Sequence, residues 1–325
     1  MIARIIQSAV MQGTPLLFGS TGEILTEKSG HLNLGIPGIM YVGAISGVAG
    51  SFLYENSVTQ MNPILAILIP LLCSIIGATL MGFIYCFLTV TLRANQNVTG
   101  LALTTFGTGI GNFFGGSLIK LVNSDVPSIS LSKTSAIFKT HFPFADDLGW
   151  FGEIFFSYGF LVYLAIIIAL VSSHILEKTR TGLHLRAVGE SPETADAAGI
   201  NVTKYKYLSI CIGSAIAGLG GLYYVMDYAN GVWSNNGFGD RGWLAIALVI
   251  FSVWRPSISI LGSILFGFLY IIPMYIPNIT VSTKLMFDML PYAMTIIVLI
   301  ITSIRYKKEN HPPAALGLPY FREER

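Results

Sequence analysis

Nine apolar stretches, eight of them long enough to approach or exceed the thickness of a bilayer, divide this 325-residue chain and leave little room for a water-soluble fold. They run from Met1 to Phe18, Leu34 to Tyr54, Pro63 to Leu92, Val98 to Val122, Ile154 to Leu176, Tyr207 to Tyr228, Trp243 to Val253, Ser257 to Ile276 and Leu285 to Ile304. A helix needs about 20 apolar residues to cross the hydrocarbon core, so only Trp243 to Val253 is short. Hydrophobic residues make up 53 % of the chain and charged residues 11 %, a balance that excludes a soluble globule. The expected fold is all-α: one transmembrane bundle over 1–325 with about 8–10 membrane segments, some broken or re-entrant, in a cytoplasmic (inner) membrane.

Charge orients the bundle. A polar island at 177–206 carries Lys178, Arg180, Arg186, Lys204 and Lys206, and the tail at 305–325 carries Arg305, Lys307, Lys308, Arg322 and Arg325. Both are expected on the cytoplasmic side, and the segment 123–153, poor in Lys and Arg, on the outer side. Counting crossings back from the island puts the N-terminus outside, although the polar, glycine-rich run Gly22 to Gly38 leaves the parity of the first two spans open.

Within the island, Ser191 to Gly199 reads as a short helix with both ends specified. Ser191 is an N-cap, Pro192 suits the first helical position, Glu193 favours the positive end of the dipole, and Gly199 suits a left-handed C-terminal position. So short a helix is marginal in water, and Ala195 and Ala198, on one face with Pro192, would let either a partner protein or the chain's own bundle approach closely.

Two breaks interrupt the apolar pattern. Gly30 to Gly38 leads into one apolar run and Asn235 to Gly242 into another, each with a Gly-x-x-Gly, Gly35/Gly38 and Gly239/Gly242. Irregular backbone at membrane depth is tolerated where protein or a water-filled cavity satisfies it, and broken helices often line transport sites. Asn33, Gly35, Gly38, Asn235, Asn236, Gly239, Asp240 and Gly242 are therefore the expected substrate path. The competing readings are helix packing for the glycines and a neutralised surface pair for Asp240 with Arg241.

Catalytic motifs are missing. The five histidines form no His-Glu-x-x-His, Cys73, Cys86 and Cys211 lie singly, and no Gly-x-x-x-x-Gly-Lys-Ser/Thr loop is present. No catalytic residue, metal site or cofactor is expected, no feature points to nucleic acid, and an ATP-driven process would need another chain.

Gly22-Glu23-Ile24-Leu25-Thr26-Glu27-Lys28-Ser29-Gly30, followed by Leu32-Asn33-Leu34-Gly35-Ile36-Pro37-Gly38-Ile39-Met40, resembles the signature of permease subunits of ABC importers for branched-chain amino acids, simple sugars and nucleosides. Nucleoside-type members read Glu-Arg-Ser-Gly and Asn-Leu/Ile-Gly-Ile-Glu-Gly, so Lys28 and Pro37 depart from the pattern. Thr181 to Pro192 with Ala197 to Val202 resembles the family's coupling loop, and Arg241 to Phe251 with Trp254-Arg255-Pro256 the segment that follows. The resemblance implies a lipid-embedded permease pairing with itself or a related permease, two cytoplasmic ATP-binding subunits, and an extracytoplasmic substrate-binding lipoprotein. It also implies that Arg186, Glu190, Pro192, Glu193, Ala195, Ala198 and Gly199 couple to the ATPase, and that the solute is a nucleoside or a simple sugar. An ion-coupled secondary transporter of a small polar solute is the alternative; it needs an ion or proton site.

Overall fold

The computed structural model describes residues 2–122, 128–276, 280–304 and 311–321. The first segment is α1 (Ile2–Glu27), a single helix that passes through Pro15. Gly22 and Glu23, which open the polar, glycine-rich run Gly22 to Gly38, belong to it, because Gly22 has no side chain to hold it off Gly213 on the helix packed alongside. Glu27, whose neighbours Lys28 to Gly30 suggest a loop, ends the helix and is buried. The break proper is the linker 28–35.

Next come α2 (Ile36–Ser57), α3 (Pro63–Cys86) with a π turn at Phe87–Thr91, and α4 (Gln96–Val122). A strand β1 (Ser128–Ser130) and the short helices α5 (Ser132–Phe138) and α6 (Gly149–Phe155) precede α7 (Phe160–Lys178). The polar island folds as α8 (Arg180–Glu190) and α9 (Pro192–Ala197). Then follow α10 (Val202–Tyr223) with a second π turn at Tyr224–Tyr228, β2 (Val232–Ser234), α11 (Arg241–Phe251), α12 (Pro256–Tyr275), α13 (Val281–Asp288) and α14 (Leu290–Ile304). Among the described residues, six segments are long and apolar enough to cross a membrane: α2, α3 with its π turn, α7, α10 with its π turn, α12, and 281–301 across α13 and α14. At about 1.5 Å per residue, the 11 residues of α11 reach only half-way.

Helices α1, α2, α10 and α11 form the interior. The apolar stretch of α2 is 83 % buried and that of α3 only 28 %, so α3 presents most of its surface to lipid while α2 is enclosed by protein. Small residues bring the inner helices together: a methyl at Gly43 would stand 2.5 Å from the Cα of Gly218, so α2 and α10 touch backbone to backbone.

The bundle has two distinct ends. At one, β1 pairs antiparallel with β2, Ile129 opposite Trp233, and Arg4 lies 3.8 Å from Glu153, so the start of α1 shares this hairpin end with α6. At the other lie α8, α9 and the segment 311–321, whose backbone joins both the α1–α2 linker and α8 through Gly317 N to Gly30 O (3.2 Å) and Ala315 N to Gly189 O (3.0 Å). The tail residues Arg305, Lys307, Lys308, Arg322 and Arg325 fall outside the described residues.

Candidate functional site

Both sequence breaks lead to helix N-termini, and the two N-termini meet. Pro37 in the first turn of α2 lies against Gly242 in the first turn of α11, where a side chain would collide with the proline backbone. Gly38 packs equally closely on α4, its absent methyl 2.7 Å from the Cα of Thr104.

The linker before α2 is held by buried polar groups. Asn33 is fully buried; its Oδ1 accepts from Gly35 N (2.9 Å), and its own N–H donates to Glu23 Oε1 (3.0 Å). Tyr85 donates to Leu32 O (2.6 Å), Leu32 N donates to Gln96 Oε1 (2.8 Å), and Thr104 donates to Leu34 O (2.7 Å). One helical turn beyond Glu23, Glu27 Oε2 accepts from the Trp254 indole N–H just beyond the end of α11. Adjacent carboxyls on α1 thus hold the entrance of α2 and the exit of α11, and the backbone groups Leu32 N, Leu32 O, Asn33 N, Leu34 O and Gly35 N of the linker each meet a side-chain partner.

The second break is built differently. Asn235, Asn236, Gly239 and Asp240 are exposed, and the chain turns through positive φ at Asn236 and Gly239. The Tyr41 hydroxyl accepts from Asn236 N (2.9 Å) and donates to Asn112 Oδ1 (2.5 Å), while Asn112 Nδ2 donates to Asn236 Oδ1 (3.0 Å), closing a cycle between α2, α4 and the break. Aromatic rings surround it: Trp233 stands 5.0 Å and Phe238 6.5 Å from Tyr41, and Tyr224 lies 5.2 Å from Phe238.

Arg241 does not neutralise Asp240. Its guanidinium donates to Phe238 O (2.8 Å) and lies over the rings of Tyr224, Tyr228 and Tyr270 at 4.5, 5.2 and 5.4 Å. Such cation–π packing holds a buried guanidinium where an acid is absent. The surface-pair reading fails because the side chain turns inward. Asn33, Gly35, Gly38 and Gly242 thus frame the junction, while Asn235, Asn236, Gly239 and Asp240 are open to its surroundings. Tyr41, Asn112, Trp233 and Phe238 were not among the expected residues; polar Tyr41 and Asn112 inside apolar spans were the available signal.

At the other end, α9 has the expected caps. Thr194 N donates to Ser191 Oγ (3.4 Å), and Gly199, at φ +81°, closes the C-terminus with Gly199 N to Asp196 O (2.9 Å) and Ile200 N to Ala195 O (3.0 Å). Of the two readings of this face, Ala195 takes the second: it is buried on Val188 and Val202 and anchors α9 to its own bundle. Glu193 and Ala198 are exposed, Pro192 half-buried, and Arg186 and Glu190 lie on the open side of α8. These last two rim a cleft shared with Lys28 and Arg255.

The family described as the permease component of branched-chain amino acid transport systems matches residues 5–299. The chain belongs to this family. As a permease it is a multi-pass membrane transport subunit, partnered by separate ATP-binding subunits, and the ion-coupled carrier is set aside. The permease is 33 % identical to the nucleoside ABC transporter permease NupC of Lactococcus lactis, over 91 % of this chain and 90 % of that one. It is 29 % identical to the guanosine ABC transporter permease NupQ of Bacillus subtilis, over 99 % and 97 %. It is 33 % identical to a putative glucose ABC transporter permease of Haloferax volcanii, over 82 % and 76 %.

Proposed function

We propose that this permease forms the path of an ATP-driven nucleoside importer, with the hairpin end outside and the α9 end in the cytoplasm. The observation that carries the reading is the junction where α2 and α11 begin. Its aromatic faces and amides suit a flat, uncharged, hydrogen-bonding solute, because rings stack on a base while amides and hydroxyls read its edge. Asn235, Asn236, Gly239 and Asp240 face the solute in this reading, whereas Asn33, Gly35, Gly38 and Gly242 hold the two half-helices in register. The names of two relatives point to nucleosides; the glucose-type relative makes a simple sugar the competing solute.

Coupling follows from the anchoring of α9. Through Glu193, Ala198 and the rim residues Arg186 and Glu190, it would seat in a cytoplasmic ATP-binding subunit, one for each of two permeases, with an extracytoplasmic binding lipoprotein delivering the solute. Gly189 at the end of α8 approaches the linker closely, an added methyl lying 3.2 Å from Gly30 N. Displacement of α9 would therefore pass through Gly189, Gly30 and Asn33 to the entrance of α2 and shift the balance between inward-open and outward-open states.

The test is uptake of labelled guanosine by cells carrying the complete transporter, competed by unlabelled nucleosides or by glucose. Competition by nucleosides alone, with Tyr41→Phe raising KM about tenfold through loss of its two hydrogen bonds, is expected. Competition by glucose alone, or an unchanged KM, would overturn the assignment of solute or site respectively.

A further inference from the structure

A cavity of about 660 Å³ at the α9 end lies between α9, the start of α10, the turn after α3 and the segment 311–321. Four of its lining side chains are basic or can become so: His31, Arg93, Lys204 and Lys206. The lining acid, Asp196, is engaged, accepting from the Tyr320 hydroxyl at 2.9 Å. Lys206 is only 3 % exposed, makes no ion pair among the described residues, and its ammonium lies 5.8 Å from the centre of the Tyr320 ring. Beside it, close enough for its charge to act on the ring, is His31, 1 % exposed, with Nδ1 buried and without a hydrogen-bond partner. The first turn of α10, a 22-residue helix, adds the positive end of its dipole.

A buried ammonium without a counter-ion is costly, and burial together with that nearby charge disfavours protonation of the His31 imidazole beside it. An anion relieves both. The geometry points to a binding site for a phosphoryl anion in this cavity, held by Lys206 and His31 within and by Lys204 and Arg93 at the rim. Ammonium, imidazole, guanidinium and helix N-terminus together suit tetrahedral oxyanions. The volume exceeds a bare phosphate and admits an organic phosphate, with the Tyr320 ring as a stacking face. Because the cavity wall includes α9, Tyr320 and the α1–α2 linker residue His31, an occupant would hold together the parts through which α9 acts on α2. The inference does not depend on which solute is carried.

The phosphoryl group can come from solution or from a lipid headgroup, and one experiment separates them. The full-length permease with its co-purifying subunits is placed in nanodiscs of phosphatidylcholine, with and without phosphatidylglycerol, and binding of ³²P-orthophosphate and of guanosine 5′-monophosphate is measured. Saturable binding in phosphatidylcholine that persists with phosphatidylglycerol assigns a soluble phosphate; binding displaced by phosphatidylglycerol assigns the headgroup. In either case Lys206→Met should weaken binding about tenfold or more and Lys206→Arg should retain most of it, as expected for a charge-assisted contact. If Lys206→Met is not recovered folded, the exposed pair Arg93→Ser with Lys204→Ser decides, with about threefold or greater weakening expected. No saturable binding by the wild type in phosphatidylcholine, or affinities unchanged in these variants, overturns the proposal.

Discussion

Asn33 shows how much one amide does at a helix break. Its Oδ1 turns the chain into α2 by accepting from Gly35 N, and its backbone N–H is taken by Glu23. Asn33→Ala leaves a buried N–H unmet, which costs about 1–3 kcal/mol. A fall in the thermal unfolding midpoint of the detergent-solubilised permease is expected, and no change would remove Asn33 from this role. Lys28 opens the same linker, directly after α1, where burial holds its ammonium below the ordinary lysine value of 10.5 against the opposing pull of Glu190. In the window below 10.5 the unfolded chain therefore binds more protons than the folded one, and stability rises with pH there. The unfolding midpoint should climb relative to Lys28→Met as pH is raised from neutral toward that value; parallel profiles would refute it.

At the scale of elements, α9 is a six-residue helix that stands because it is capped at both ends and pinned by Ala195. Ser191→Ala should cost about 0.5–2 kcal/mol of local stability. Gly199→Ala forces a side chain into the left-handed region for roughly 1–2 kcal/mol. If α9 transmits force, both variants should hydrolyse ATP in the complex while carrying less solute per ATP. Measured transport-to-hydrolysis ratios equal to wild type would mean that rigidity of α9 is immaterial. The caps were legible because N-cap and C-terminal glycine chemistry is local. The inward turn of Ala195 was not, since three residues on one face of a helix do not say whether that face meets a partner or its own bundle.

For the whole molecule, the decisive contact is Pro37 on Gly242, which joins two segments some 200 residues apart in sequence. Gly242→Val should drive the starts of α2 and α11 apart and abolish uptake with normal amounts of protein in the membrane. Gly109→Ala on α4, where no atom lies within 4 Å of the added methyl, should transport as wild type. Equal loss in both would point to general misassembly rather than the junction. Apolar run length and composition determined the all-α membrane class and the approximate positions of its segments, because lipid demands long apolar helices whatever packs beside them. The motif residues from Gly22 to Met40 and from Thr181 to Val202 carried the family. Tertiary structure alone decided that α1 runs on to Glu27, that Arg241 turns from Asp240 to three tyrosines, and that Tyr41 and Asn112 meet Asn236. Each of those outcomes depends on which helix lies alongside, and the energy of a buried polar group is set by partners that are distant in the chain.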